Sequence, residues 1–417
     1  MIVHSFLNYT RAMSIWNHRV ENCWRQATNR FSPLVQSLSL VTWVVVASLL
    51  FFANTLNAAD NVAQTTGFRP GERWLDDQGN DINAHGGGVL FHAGVYYWYG
   101  EAKEGRTYVT AANKSWGGTR VVAGGVTCYS STNLSMWKNE GTVLPSVSDE
   151  PSHDLHCEKV IERPKVIYNA TTKKFVMWLH QDSADYAAAR SGVAVSDRPT
   201  GPFKYLGSFR PNAGVWPINV TQEDKRPGPK NALARDFKGG QMARDMTLFV
   251  DDDGKAYQFY SSEENVTMHV SQLTDDYLKP SGKYARILVD RSMEAPAVFK
   301  RAGKYYLIAS GCTAWDPNAA RSAVADNIFG PWTELENPCR GADADKTFYS
   351  QSTFVLPVQG RADVFIAMFD RWKQWDLAAS RYVWLPLRFE DDAPVIEGIN
   401  DWDLERLMQL AATSKPK

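Results

Sequence analysis

Five stretches of the 417-residue chain follow one pattern. They are "HGGGVLFHAGVYYWYGE" from His85, "ERPKVIYNATTKKFVMWLH" from Glu162, "RDMTLFVDDDGKAYQFYSS" from Arg244, "EAPAVFKRAGKYYLIASG" from Glu294 and "SQSTFVLPVQGRADVFIAMF" from Ser350. Each is a short apolar strand, a polar turn and a second strand rich in aromatic or β-branched residues. Turns such as "DDDG" and "RAGK" carry a Gly that tolerates positive φ, as tight hairpins need. Leu90, Ile167, Leu248, Val298 and Val355 take equivalent places. Segments such as "GVTCYSSTNLSMW", "GVAVSDRPTGPFKYLG" and "RSAVADNIFGPWTEL" fill the gaps as third and fourth strands, with "GPF" and "GPW" recurring. Five units of about four strands predict an all-β, five-bladed β-propeller. A β-sandwich requires no such repetition. Only "DWDLERLMQLAA" near the C-terminus has a sustained helical period. The Pro-, Gly- and charge-rich segment 219–241 predicts a loop over one mouth of the ring.

If the first strand of each repeat is innermost, the five strand starts converge on one face. The residues there are His85 or Gly86, Glu162, Asp245, Glu294 and Gln351. Three carboxylates from distant repeats would then share one funnel. Hydrolysis of a glycosidic bond needs a carboxylic acid still protonated near neutral pH. Burial and a neighbouring negative charge both raise a carboxyl pKa, and Glu294 beside Asp245 supplies that arrangement. An inverting enzyme also needs a base about 6.5–9.5 Å away across the ring. The first repeat offers "NAHGGG" where an aspartate would serve, and Asp81 lies outside the pattern. Plainer roles compete with these. Glu294 could pair with Arg291, Asp245 with Arg244, and Glu162 with Arg163 or Lys165. Gln351 could bind backbone between blades. Glu101, ending "YYWYGE", could reach a sugar hydroxyl or merely finish a strand.

Composition narrows the partner. Aromatic residues make up 12% of the chain, with 15 Trp, and flat apolar faces suit sugar rings as well as β-cores. Trp315, Trp372 and Trp375 are candidates for the floor of a sugar subsite. Net charge is -1, with no basic surplus for a phosphate backbone, so nucleic acid is excluded as a partner. There is no GxSxG, P-loop or dinucleotide fingerprint. "DDDG" hints at calcium, but EF-hand spacing is absent and a hairpin turn explains it. "HDLHC" at 153–157 is a weak metal motif; no metal or cofactor is expected to be required.

Residues 1–36 carry four Arg and one Glu, and "LSLVTWVVVASLLFFA" (38–53) carries no charge. This reads as an export signal through about residue 59, or an uncleaved anchor, ahead of a single domain at 60–417. The expectation is a secreted or periplasmic monomer, touching a membrane only if the leader persists. Cys128, Cys157, Cys312 and Cys339 permit two disulfides in such a chain. Pairing Cys128 with Cys157 and Cys312 with Cys339 gives the shorter loops, and the other connectivities stay open.

"RDMTLFVDDDGKAY" and "EAPAVFKRAGKYYL" resemble the third- and fourth-blade motifs of glycoside hydrolase family 43. With "AHGGGVL", "YYWYGE", "ERPKVIYN", "SGCTAWDPN", "SQST" and "YVWLPL", the set is similar to the exo-β-1,3-galactanase branch of that family, from about residue 66 to 403. The resemblance implies that Glu294 is the general acid and that Asp245 tunes and orients it. It implies that Glu162 holds the sugar and Gln351 orients the attacking water. That branch lacks the first-blade aspartate, which agrees with "AHGGG". "SGCTAW" departs slightly from the glycine-containing form of the branch. The implied activity is inverting release of terminal galactose from β-1,3-galactan of arabinogalactan type. An α-L-arabinofuranosidase or β-xylosidase on the same fold is the nearest rival. A sugar-binding propeller without turnover is the next, and an interaction scaffold the last.

Overall fold

A computed structural model describes residues 67–111 and 118–412. The leader expected at 1–59 lies outside the described residues. Blade one comprises β1 (His85–His92), β2 (Val95–Val109), β3 (Thr119–Ser131) and β4 (Lys138–Pro145). Blade two comprises β5 (Val160–Asn169), β6 (Lys174–Asp182), β7 (Arg190–Ser196) and β8 (Lys204–Phe209). Blade three comprises β9 (Met246–Val250), β10 (Ala256–Ser262), β11 (Thr267–Leu273) and β12 (Pro280–Ile287). Blade four comprises β13 (Met293–Arg301), β14 (Lys304–Gly311), β15 (Arg321–Ala325) and β16 (Thr333–Leu335). In blade five, β17 (Cys339–Arg340) runs parallel to the outer strand of β18 (Gln351–Pro357), β19 (Phe365–Arg371), β20 (Arg381–Glu390) and β21 (Ala393–Glu397).

The five repeats are thus five antiparallel meanders. Leu90, Ile167, Leu248, Val298 and Val355 all fall in first strands. Those first strands pack against one another in a closed ring: β1 on β5 and β18, β9 on β5 and β13, and β13 on β18. The core is divided into five apolar clusters, one at each seam between neighbouring blades. This follows from strand alternation, because each blade buries both faces and needs an apolar partner on either side. The fully buried Trp98, Trp178 and Trp384 are seam residues.

The seam between blades five and one also joins the ends of the domain. Phe68 and Trp402 exchange backbone hydrogen bonds (2.6 and 3.1 Å), and their rings stack at 4.1 Å. The helical period near the C-terminus forms α2 (Leu404–Ala412), which buries Leu407 in this seam. A single turn, α1 (Ala232–Arg235), lies earlier, within the 219–241 segment.

Two expectations are corrected. Segment 219–241 does not simply cover a mouth. Ile218 donates to the Tyr284 carbonyl (2.8 Å), Asn219 donates to the Arg286 carbonyl (2.7 Å), and Asp224 pairs with Arg286 (3.1 Å). The segment therefore covers the outer edge strand of blade three, and only Arg235 reaches the cavity rim, through Glu264 at 2.9 Å. The four cysteines are free thiols. Cys157 accepts at its carbonyl from Ala123, five positions along β3 from Cys128, about 16 Å at the rise of a strand. A disulfide needs Cα atoms within about 7 Å. Cys339 is buried at the seam of blades four and five, whereas Cys312 lies beside Glu294.

Candidate active site

The start of a blade's first strand is shaped by a β-bulge. The ladder slips between His85 and Gly88, between Glu162 and Lys165, and between Glu294 and Ala297. In each, the residue after the first is left-handed: Gly86 (φ 60°), Arg163 (φ 54°) and Ala295 (φ 55°). Such a bulge re-aims its side chains, and here it turns Glu162 and Glu294 toward the mouth. Glycine takes this conformation freely, but Arg163 and Ala295 are strained by about 1 kcal/mol or more.

Opposite each first residue stands the end of the second strand. The facing pairs are His85 with Glu101, Glu162 with His180, Glu294 with Ser310, and Gln351 with Asp370. The loops that follow the second strands complete the walls. The resulting cavity is about 520 Å³ and brings together Glu101, Glu162, Asp245, Glu294, Trp315 and Gln351. These six candidates line it, as does Trp372, whereas Trp375 does not. His85 does not; it is buried, 3.1 Å from Asp370 and stacked on Tyr382. Asp81 pairs with Arg73 at the surface, outside the cavity.

The plainer pairings give way to others. Arg291 binds Glu334 rather than Glu294, and Arg244 lies 3.4 Å from Glu264 rather than pairing with Asp245. Asp245 is paired with Arg163 at 2.9 Å. The same guanidinium donates to Gln351 Oε1 (2.6 Å) and to the Ser352 carbonyl (3.1 Å). Gln351 Oε1 also accepts from Trp372 Nε1 (3.0 Å), while its Nε2 donates to Glu294 Oε1 and Ser310 Oγ, each at 3.0 Å. All four contacts of the amide are made by protein groups, which fixes which end is oxygen.

Burial, then the charge of Asp245, push the Glu294 carboxyl up to about 8, against the opposing pull of Arg163, Cys312 and Gln351. Glu162 is held the other way. Burial works against its charge, but His180, Lys103 and Arg120 outweigh it and keep the carboxyl well below the usual range. Tyr186 donates to Glu162 Oε1 (2.9 Å), and His180 Nδ1 stands 3.5 Å from Oε2. Behind it, His180 Nε2 meets the fully buried Asp182 at 3.0 Å. Burial opposes the imidazolium, yet Asp182 and Glu162 raise His180 to about 9. Glu101 accepts from Lys103 Nζ (2.7 Å) and from the Arg163 N–H (3.1 Å); burial raises its pKa, with Glu162 adding and Lys103 opposing. Lys165 takes no carboxylate and donates to the Gly86 carbonyl at 2.9 Å.

Glu162 on blade two, held ionised, and Glu294 on blade four, protonated near neutrality, thus face one cavity. Glu162, His180 and Asp245 offer ligand atoms within 4.8 Å of one another. Tyr186 donates to Glu162, His180 Nε2 meets Asp182 and Arg163 pairs with Asp245, while the buried His180 Nδ1 has no hydrogen-bond partner; a cation here would stand beside the Arg163 charge. "DDDG" is a hairpin turn, closed by Gly254 N–H to the Asp251 carbonyl (2.9 Å). In "HDLHC" both imidazoles accept from nearby backbone N–H groups (3.0 and 3.3 Å).

Arg163, Tyr186, His180, Lys103, Arg120 and Asn265 escaped the sequence reading. Two signals would have found three of them. The cross-strand partner of a mouth residue shares its environment, which leads to His180. Each loop after a second strand returns over the mouth, which leads to Tyr186 and Asn265.

The sequence profile of glycosyl hydrolases family 43 matches residues 96–352. Among solved structures, the chain is 47% identical to a family 43 β-1,3-galactosidase, BT3683, determined with galactodeoxynojirimycin, covering 81% of this chain and 100% of that one (TM-score 0.74). It is 32% identical to an exo-β-1,3-galactanase from Phanerochaete chrysosporium determined with β-1,3-galactotriose, over 82% of this chain and 68% of that one (TM-score 0.66). It is 37% identical to the exo-β-1,3-galactanase 1,3Gal43A from Clostridium thermocellum, over 80% and 65% (TM-score 0.64). A search of curated proteins gives no match. The profile spans more than half of the chain and the structural matches span most of the ring, so this five-bladed propeller belongs to glycoside hydrolase family 43.

Proposed function

We propose that the protein is an exo-acting, inverting glycoside hydrolase that releases terminal galactose from β-1,3-galactan. The observation that carries this is Glu294, a carboxyl pushed up to about 8 by burial and Asp245, facing a cavity that Glu162, held ionised, also lines. Identity of 47% over the full length of a β-1,3-galactosidase favours galactose over arabinose or xylose.

Glu294 donates its proton to the glycosidic oxygen as the bond to the anomeric carbon breaks. Asp245 keeps that proton on Glu294 until it is needed, and Arg163 keeps Asp245 in place. Positive charge develops on the sugar ring, and the fixed charge of Glu162 stabilises it while binding ring hydroxyls. Gln351 links acid to wall; to position the water that attacks the anomeric carbon it exchanges one of its four protein contacts for that water, whose proton passes to solvent as the new bond forms. Glu101 and Trp315 line the sugar's remaining contacts. The reading includes action outside the cytoplasm, supported by the uncharged 38–53 run, and fractionation of expressing cells checks it.

The test is sugar release. β-1,3-Galactan should yield free galactose whose first-formed anomer, followed by NMR, is α. Arabinose or xylose released from nitrophenyl glycosides in preference to galactose would overturn the substrate. No release of any sugar, with galactan bound, would establish a binding propeller instead.

A further inference from the structure

We propose that Trp375 is an accessory sugar subsite, a platform for a pyranose ring of the same galactan chain whose end occupies the cavity. The inference rests on the galactan reading above. Among the described residues Trp375 is the most exposed large hydrophobic side chain, at 73%. It lies in the loop joining β19 to β20. That loop springs from the mouth, since Asp370 at the end of β19 faces Gln351.

The loop is already half committed to the site. Trp372 lines the cavity and donates to Gln351. Leu377 is buried and lines a small chamber beside the cavity, shared with Glu101, Lys103, Glu162 and Trp315. Trp375 stands between these two, no more than about 11 Å along the chain from Trp372. It is therefore within reach of the substrate just outside the cavity.

The exposure is built rather than slack. Asp376 N–H closes a turn on the Lys373 carbonyl (2.9 Å), and Ala379 N–H closes another on Asp376 (2.9 Å). Lys373 N–H binds Ser380 Oγ (3.1 Å), and Leu377 N–H binds Thr107 Oγ1 on the long second strand of blade one (2.8 Å). A flat ring held this way loses little freedom on binding. Galactose suits it: with O4 axial, the C–H bonds at C3, C4 and C5 form one apolar face that stacks on an indole.

Two measurements on the full chain test this. The first is KM against chain length for β-1,3-galacto-oligosaccharides and galactan, comparing wild type with Trp375→Ala and Trp375→Tyr. Trp375→Ala should raise KM about tenfold on galactan, the effect shrinking toward the disaccharide, with kcat moving little; Trp375→Tyr should recover most of the loss. The second is retardation in galactan-containing native gels in a Glu294→Gln background, which needs no turnover. Trp375→Ala should run faster there. Equal KM at every length, or unchanged retardation, would overturn the inference while leaving galactose release intact. A wild-type protein that ignores galactan in both assays would overturn both readings. A dimer that Trp375→Ala converts to monomer would assign the ring to a second copy of the chain.

Discussion

Gln351 holds Glu294 from one side and Arg163 from the other, with its Nε2 at 3.0 Å from the carboxyl and its Oε1 at 2.6 Å from the guanidinium. The neutral amide can make both contacts because it donates at one end and accepts at the other. Gln351→Glu keeps the Arg163 contact and sets a second carboxylate against Glu294. The alkaline limb of its pH profile should move above that of wild type. Gln351→Ala should lower kcat by about a hundredfold or more, since the acid and the water lose their positioning group.

Activity requires protonated Glu294, so kcat/KM should fall as pH rises through about 8. The same shift makes a prediction for stability. The folded carboxyl keeps its proton up to about 8, while the unfolded one releases it near 4.5. Between these values the folded state binds more protons, and stability must fall as pH rises across that window. Glu294→Gln removes the slope, and thermal melts from pH 5 to 9 should show the variant gaining on wild type toward the alkaline end. Its turnover should drop by at least about a thousandfold with galactan binding retained.

Arg163 combines a strained backbone with four polar contacts. Arg163→Ala leaves the partly buried Asp245 without its counter-charge and should destabilise the protein by about 3 kcal/mol. Arg163→Gly loses the same guanidinium but relieves the left-handed φ of 54°, so it should be more stable than the Ala variant by about 1 kcal/mol. Urea melts of the pair measure the strain directly.

The Glu162–His180–Asp182 row predicts a split in kinetics. Asp182 also accepts from the Ser183 and Ala189 N–H groups (2.9 and 2.8 Å), which fixes its side chain. Asp182→Asn lowers the His180 pKa from about 9 toward its ordinary value, so the imidazole becomes neutral as pH rises through 7. Glu162 then loses a counter-charge. KM should rise severalfold above pH 7 and less below it, with kcat changed little.

Cys312 lies beside Glu294, its thiol 3.7 Å from the Asn265 carbonyl and pushed up to about 12 by burial and by Glu294. Iodoacetamide should therefore react slowly at neutral pH and inactivate the enzyme, with galactose protecting it. Cys312→Ala should resist. Dithiothreitol should leave the melting temperature unchanged, because Cys128, Cys157, Cys312 and Cys339 are all thiols.

The ring and its mouth were legible because the repeat is carried by strand periodicity, a local property of Leu90, Ile167, Leu248, Val298 and Val355. Propeller geometry then brings Glu162, Asp245, Glu294 and Gln351 together with no further information. Side-chain partnership was less legible. Nothing in "ERPK" shows that a bulge sends Arg163 to Asp245 in the next blade while Glu162 turns to Tyr186 and His180. The cysteines failed for a related reason: short loop length suggested bridges, but Cys157 meets β3 at Ala123, five positions from Cys128. Segment 219–241 was recognisably a loop, yet its target, the edge of blade three, depends on an unpaired strand that no local pattern marks.

The paired backbone of Phe68 and Trp402 places the first and last turns of the domain side by side. A circular permutant that keeps α2, joins its end at Ala412 to residue 67 by a linker, and opens instead at the exposed Thr171–Lys173 turn, should therefore keep both its fold and its hydrolytic centre. Such a rearranged gene would offer a new attachment point for fusion partners, moved from the seam of blades five and one to the hairpin of blade two.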